Sequence, residues 1–471
     1  MGALAIQGTT SWAGKSLLTT ALCRLFARRG VQVAPFKAQN MSNNARVVDG
    51  GEIGVAQYLQ ALAARVAPDV RMNPVLIKPE AETQSQVVVL GRVDERLTAL
   101  PWRERSPALW EAAAGSLRSL LDEFELVVIE GAGSPAEINL RGSDLANMRS
   151  ALEAAAPVLL VADIDRGGAF AHLYGTWALL RDEERSLLRG FVLNKFRGDP
   201  TLLAPGPEQL EELTGVPTLG VVPMLTHGVP DEDGAAQPAP AHAPGRTRVV
   251  VVRYPSASNL DELKALEQAA AVAFTASPEG IRDADLVVLP GSKHVSSDLA
   301  WLRATGIDRA VRERAAVGGR VLGVCGGLMM LGWRLDDYAG VDGSAEGLGL
   351  LPIDTMFERE KVVRRATARF AALDDPWRGL SGLAIDGYEI RHGQVRLHPG
   401  AAEALDGGRG AAAGSVLGIA LHGALESPAI VEALVGARLE RTLDEELDRL
   451  ADAVEPHLPV DRLLDMAMEA A

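Results

Sequence analysis

Cysteine is nearly missing: the 471 residues contain 2, Cys23 and Cys325. So few thiols exclude a disulfide scaffold and point to a reducing compartment. Long apolar runs are missing as well, and no stretch approaches the ~18 uninterrupted apolar residues of a membrane helix. Basic charge is short: 47 Lys and Arg against 62 Asp and Glu give a net charge of −15. That balance disfavours nucleic-acid binding, which needs a basic face to neutralise phosphates. The opening stretch has no cationic flank and runs straight into a glycine-rich loop, unlike a secretory signal. A cytoplasmic protein is expected, with neither a membrane nor a nucleic acid as partner. An acidic chain that binds anions must gather its few cations locally, which draws notice to Lys15, Lys37, Lys78 and Lys195.

What remains is an ordinary globular composition, 47% hydrophobic and 23% charged, long enough for roughly two to four domains. The composition breaks once, at 226–246, a Pro-, Ala- and Gly-rich stretch that reads as a linker. Before it, apolar runs at Leu4–Gln7, Val31–Phe36, Gln86–Gly91, Leu126–Ile129, Val158–Ala162, Gly190–Asn194 and Thr218–Val222 alternate with helix-like stretches. Continuous Val, Ile and Leu runs suit strands buried on both faces, so the rhythm predicts a parallel sheet covered by helices. After the linker the rhythm restarts at Arg248–Val252, Leu286–Leu289 and Val321–Val324. The expected fold is therefore α/β with two doubly wound domains, at 1–225 and 247–438. The spacing of Leu443, Leu447, Leu450 and Val454 predicts amphipathic helices within a tail at 439–471, a docking or surface element.

Gly8 to Ser16 read Gly-Thr-Thr-Ser-Trp-Ala-Gly-Lys-Ser between a strand and a helix. Turned backbone N–H groups and a helix N-terminus make an anion site there. Gly8, Thr9 and Gly14 would shape the loop, Lys15 would meet the β- and γ-phosphates of ATP, and Ser16 would hold Mg²⁺. The spacing is one residue longer than the common loop. Glu130 and Asp163 each end a strand and are expected on neighbouring strands at the ligand edge, as acids for the metal. Asn194 and Lys195 follow another strand, where the amide could read adenine and the ammonium could meet an anionic substrate; a plain loop pair is nearly as good a reading.

Cys325 ends the apolar run Val321–Val324, and Gly326 and Gly327 open the next helix. That is the setting of an exposed nucleophile on a tight turn, with nearby N–H groups forming an oxyanion hole. Gly291 and Ser292, after Leu286–Leu289, could complete it. A thiol nucleophile needs a base. His422, at a strand end before Gly423, is the best placed, and His392 is the alternate. Cys23 lies on an apolar helix face and reads as inert.

Several long strings then resemble one family, the cobyric acid synthases of the cobalamin pathway. They are Pro35 to Ser42, Arg71 to Pro79, Glu130 to Leu140, Val161 to Gly168 and Leu193 to Asp199. The resemblance spans nearly the whole chain. It implies a dethiobiotin-synthetase-like P-loop domain followed by a class I glutamine amidotransferase domain. It also implies ATP- and glutamine-dependent amidation of four side-chain carboxylates of a corrinoid, adenosylcobyrinic acid a,c-diamide, through phosphorylated carboxylates. L-glutamine, ATP and the corrinoid polycarboxylate would be the partners, with a homo-oligomer as a further option. On this resemblance Asp144 matches an acid at the substrate, and Cys325 with His422 matches the glutaminase pair, a dyad whose usual third acid position is Ala424. Trp12, Met329, Ala420 and Arg391 depart from the family pattern, standing where Asp, Gln, Tyr and His are usual. Cobyrinic acid a,c-diamide synthase is the nearest rival reading, and a P-loop regulatory ATPase the rival from another class.

Overall fold

The computed structural model describes residues 1–81, 84–231 and 245–469. It divides into two compact units. The first comprises Met1–Ser42, Val48–Val229 and Leu443–Ala471, and the second Asn43–Val47 and Pro230–Thr442. Most of the expected linker, 232–244, lies outside the described residues. The short stretch Asn43–Val47 departs from the sequence reading, which placed it with the N-terminal domain.

The first unit is built on β1 (Gly2–Gly8), α1 (Lys15–Arg28), β2 (Val33–Phe36), β3 (Leu126–Glu130), β4 (Val158–Asp163), β5 (Leu188–Phe196) and β6 (Thr218–Pro223). The strands lie in the order β6-β5-β4-β1-β3-β2, all parallel. Successive side chains of a strand point to opposite faces. Ala3, Ala5, Val127, Ile129 and Leu160 accordingly enter one core, and Leu4, Ile6, Val128, Leu159 and Val161 the other. This is why the strands read as unbroken apolar runs. The predicted strand Gln86–Gly91 does not join this sheet. Its residues form Gln84–Val89, which pairs antiparallel with Val75–Ala81 in a four-stranded side sheet. An apolar run shows burial; it does not show which partner buries it.

The second unit holds β7 (Arg248–Val252), β8 (Ala271–Thr275), β9 (Leu286–Leu289), β10 (Arg320–Val324), α2 (Gly326–Leu331), β11 (Ile353–Arg369), β12 (Ala384–Leu397), β13 (Ala402–Leu405), β14 (Gly410–Ala413) and β15 (Val416–Ile419). Its main sheet runs β8-β7-β9-β10-β15-β14-β13. The first five strands are parallel and the last two antiparallel. The long β11 and β12 pair antiparallel in a separate sheet. Again the alternation feeds two cores, with Val249 and Val251 in one and Val250 and Val252 in the other.

The tail forms α3 (Leu443–Val454) and α4 (Val460–Glu469) and belongs to the first unit. Leu447, Leu450, Ala451, Val454 and Leu463 complete that unit's second core, beside Leu18, Leu22 and Leu25 of α1. A row of ion pairs runs along the same seam. Arg24, fully buried, meets Asp444 and Asp448. Arg28 reaches Asp448 and Asp452, each at 2.6 Å. Arg29 reaches Glu455 at 2.9 Å and Asp461 at 2.6 Å. Apolar burial is the stronger term here, because exposed pairs pay side-chain entropy and are screened. Leu447→Ala is expected to cost the first unit about 2–4 kcal/mol, and Asp452→Ala less than about 1 kcal/mol. Urea unfolding followed in that unit checks both; equal losses would put electrostatics ahead of packing.

Candidate functional site

In the first unit β1 ends at Gly8 and α1 starts at Lys15, so the intervening loop turns at the ligand edge of the parallel sheet. Gly14 has φ 96°, and a Cβ there would sit 2.0 Å from Nδ2 of Asn194, so only glycine fits. Trp12 also takes a positive φ, 66°, with a half-exposed side chain; the loop uses its carbonyl, which accepts from Nζ of Lys195 at 2.5 Å. Lys15 donates to the carbonyls of Thr10 and Gly133, each at 3.0 Å. Asn194 is buried and donates through Nδ2 to the carbonyl of Ala13 at 2.8 Å. Through Nδ2 its amide therefore braces the phosphate loop. Lys195 also bonds Oδ2 of Asp163 at 3.0 Å, tying the loop to the end of β4.

Glu130 is the hub of this crevice. It is fully buried, and its Oε1 accepts from Oγ of Ser16 at 2.8 Å and from Nζ of Lys37 at 2.9 Å. Its Oε2 accepts from Gln60 at 2.5 Å and from Gln57 at 3.4 Å, and Asn40 donates to Gln57 in turn. Asn73 holds the carbonyl of Lys37 at 3.1 Å. Lys78 is paired with Glu52 at 2.5 Å. Glu130 and Asp163 were expected on neighbouring strands; instead β3 and β4 each pair with β1 and flank it. Asp163 is engaged by Lys195 and by Arg166 at 3.5 Å. Asp144 is tied to the loop after β3 through Asn147, which donates to it at 2.9 Å and to the carbonyl of Ala132 at 2.7 Å. Burial pushes the Asp144 carboxyl up, partly offset by bonds from Asn147 and Ala146. Gln7, one residue before Gly8, was missed by the sequence reading. Its buried amide and the Thr9 hydroxyl have no hydrogen-bond partner among the described residues. Buried polar atoms of that kind call for a ligand or water, which fits nucleotide occupancy of the loop.

In the second unit Cys325 lies between β10 and α2 with φ 51° and ψ −104°. A non-glycine residue in so sparsely populated a conformation stores strain, and the turn aims the thiol out of the sheet. Tight packing leaves no alternative around it. A Cβ on Gly327 would lie 1.9 Å from the carbonyl oxygen of Leu289, and one on Gly326 would lie 2.6 Å from the backbone nitrogen of Ser292. A Cβ on Gly291 would lie 3.0 Å from Cε1 of His422. Cys325, Gly326, Gly291, Ser292 and His422 are thus brought together. The thiol donates to the carbonyl of Ile390 at 3.6 Å, with His422 near enough to feel its charge. By contrast, Cys23 is fully buried and burial pushes its thiol well up, in keeping with an inert residue.

The expected dyad needs correction: the histidine does have an acid. Nδ1 of His422 lies 2.8 Å from Oε1 of Glu262, and Oε2 accepts from the N–H of Gly423 at 2.9 Å. Glu262 comes from 160 residues upstream, on a short helical turn, Leu260–Leu263. No local spacing could have found it. Burial would lower the His422 value, but Glu262 and Cys325 together outweigh it and push it up to about 10. Tyr388 stacks on His422 with ring centroids 5.2 Å apart, supplying an aromatic neighbour from β12 where Ala420 offers none. His392 bonds the carbonyl of Glu358. Arg391 joins Arg364 and Arg409 around the buried Glu389; burial alone would raise that carboxyl, but Arg391 and Arg364 hold it below the usual range. Met329 is buried, its Sδ against Gly393.

Two family models cover these units. Residues 4–229 match the CobQ/CobB/MinD/ParA nucleotide binding domain, and 248–430 the CobB/CobQ-like glutamine amidotransferase domain. A cobyric acid synthase of Variovorax paradoxus is 57% identical over 465 residues, 96% of each chain. That of Paracidovorax citrulli is 56% identical over 487 residues, covering 99% of this chain and 98% of its own. That of Polaromonas sp. is 55% identical over 485 residues, 96% of each.

The chain belongs to the cobyric acid synthase family.

For a member of this family the His422–Glu262 contact carries a measurable consequence. The folded-state value of His422, about 10, lies above its ordinary one. Its charge therefore contributes stability that is fully present below about pH 6.5 and is lost as pH rises through about 10. Glu262→Gln removes a raising partner. The decline in second-unit stability between about pH 6.5 and 10 is expected to flatten, and glutamine hydrolysis to fall on the order of 10²-fold. Thermal melts across pH and a glutaminase assay check this; an unchanged pH profile would remove Glu262 from the site.

Proposed function

We propose that the chain amidates four side-chain carboxylates of adenosylcobyrinic acid a,c-diamide to give adenosylcobyric acid, using ATP and glutamine. The observation that carries this reading is one chain holding both a phosphate loop closed on Glu130 and a strained Cys325 gathered with His422, the latter paired to Glu262. Near-full-length similarity to proteins named cobyric acid synthase supports the choice of substrate over the a,c-diamide-forming alternative.

At Cys325 the thiolate sulfur attacks the side-chain amide carbon of glutamine, and the N–H groups around Gly291, Ser292 and Gly326 receive the oxyanion. His422 protonates the departing nitrogen, so ammonia leaves and a thioester remains. His422 then takes a proton from water as the thioester hydrolyses to glutamate. In the first unit a corrin carboxylate oxygen attacks the γ-phosphorus of ATP and ADP leaves, which converts a poor acceptor into an acyl phosphate. Ammonia attacks that carbonyl, phosphate leaves, and a carboxamide forms. Lys15 and the loop N–H groups hold the phosphates, and Asp144 stands at the substrate.

Ser16 and Glu130 are hard oxygen donors side by side, suited to Mg²⁺. They would hold it with Asp163, and its charge would offset that developing on the phosphates. No helix among the described residues is long and apolar enough to cross a membrane; we retain the cytoplasmic reading as part of this proposal.

Mass spectrometry after incubation with the a,c-diamide, ATP and glutamine should show four amidations. Cys325→Ala should abolish the glutamine-supported reaction and keep the ammonium-supported one. Loss of both alike would contradict two separate sites, and no amidation by the parent chain with either donor would overturn the substrate.

A further inference from the structure

Arg46 stands apart from everything assigned so far. It lies in Asn43–Val47, the five residues of the N-terminal sequence that pack into the second unit. It is buried, and it forms ion pairs with two of that unit's acids, Asp261 and Glu426. We propose that Asn43–Val47 is a working part of the glutamine-hydrolysing site, with Arg46 as the positioning residue that keeps Glu262 on His422. The proposal rests on the reading of Cys325 and His422 as the hydrolytic pair.

Short turns flank the His422–Glu262 contact, and one of them carries Glu262. Glu262 rides on Leu260–Leu263, and His422, whose backbone pairs with Tyr388, lies two residues before the turn Ala424–Glu426. Neither turn is long enough to hold itself in place. Arg46 joins them. Its Nε donates to Asp261, the neighbour of Glu262, at 2.9 Å, and its guanidinium also meets Asp261 and Glu426. The same guanidinium lies 5.4 Å from the ring centroid of Tyr388, which stacks on His422.

The rest of the segment holds the start of the first turn. Asn259 caps it with φ 56°, a left-handed conformation that a non-glycine residue keeps only when held. Its N–H donates to Oδ1 of Asn44 at 2.7 Å. Its Nδ2 donates to the carbonyl of Ala45 and to the hydroxyl of Tyr388, each at 2.8 Å. Electrostatics point the same way. Burial pushes the Asp261 carboxyl up, Glu426 and Glu262 push it further, and Arg46 opposes them. Removing the guanidinium would leave Asp261 as a buried carboxylate beside Glu262, a state relieved only by protonation or by moving the turn.

The test uses the full chain, with Arg46→Gln, Arg46→Lys and the milder Asn44→Ala. Arg46→Gln should lower kcat for glutamine hydrolysis by roughly tenfold or more, with KM for glutamine held within about threefold. Ammonium-supported amidation should stay within about twofold of the parent. The His422 inflection in the pH profile of kcat should move to lower pH, which a merely structural defect would not do. Arg46→Lys should recover part of the loss, and Asn44→Ala should show a smaller loss of the same kind. Unimpaired hydrolysis by Arg46→Gln, equal loss with both nitrogen donors, or a lower kcat with an unmoved pH profile would each overturn the proposal. Cys325→Ala is run alongside. If it still used glutamine, the assignment of the thiol itself would fall; if it did not, an unimpaired Arg46→Gln would overturn the Arg46 inference alone.

Discussion

A carboxylate taken out of water must be given cations or hydrogen-bond donors, or it will take up a proton. That constraint organises both units. Around Glu130 it draws in Ser16, Lys37, Gln57 and Gln60, so one buried side chain fixes the start of α1 and the loop after β2. Around Glu262 it draws in His422 and the N–H of Gly423. In each case the acid is satisfied by side chains or N–H groups from more than one element of its unit. Loss of Glu130 or Glu262 would therefore reach well beyond one hydrogen bond.

Much of this was legible from the sequence, for identifiable reasons. The parallel sheets announced themselves because strands covered on both faces need apolar residues at every position, as in Leu126–Glu130. The phosphate loop and the cysteine turn were legible because each is a local geometry demanding glycine at fixed offsets. What stayed hidden was partnership across distance. Nothing near His422 discloses that its acid lies 160 residues upstream. Nothing near Asn194 discloses that its Nδ2 donates to the carbonyl of Ala13. Gln84–Val89 has the composition of a sheet strand and is one, but in a different sheet from the one its rhythm suggested.

The departures from the family pattern can also be placed physically. At Trp12 the loop uses the backbone, and the side chain stands half in solvent, so indole is tolerated where a small acid is usual. At Ala420 the missing aromatic matters less because Tyr388 already covers His422. Arg391 is absorbed into the cation cluster on Glu389. Met329 fills space beside Gly393, and nothing in the structure explains why thioether rather than amide stands there.

The tail that packs along α1 has a consequence for biosynthesis. The first unit needs Leu447, Leu450, Val454 and Leu463 for its second core, and those residues are made after the whole of the second unit. A chain emerging from the ribosome folds in the order in which complete sets of contacts become available. The unit translated first must therefore wait with one side of α1 and part of one face of its sheet uncovered, while the unit translated second can finish before it. During that interval the first unit's apolar surface is most exposed to a chaperone or to aggregation, and release of the chain's last thirty residues closes the window.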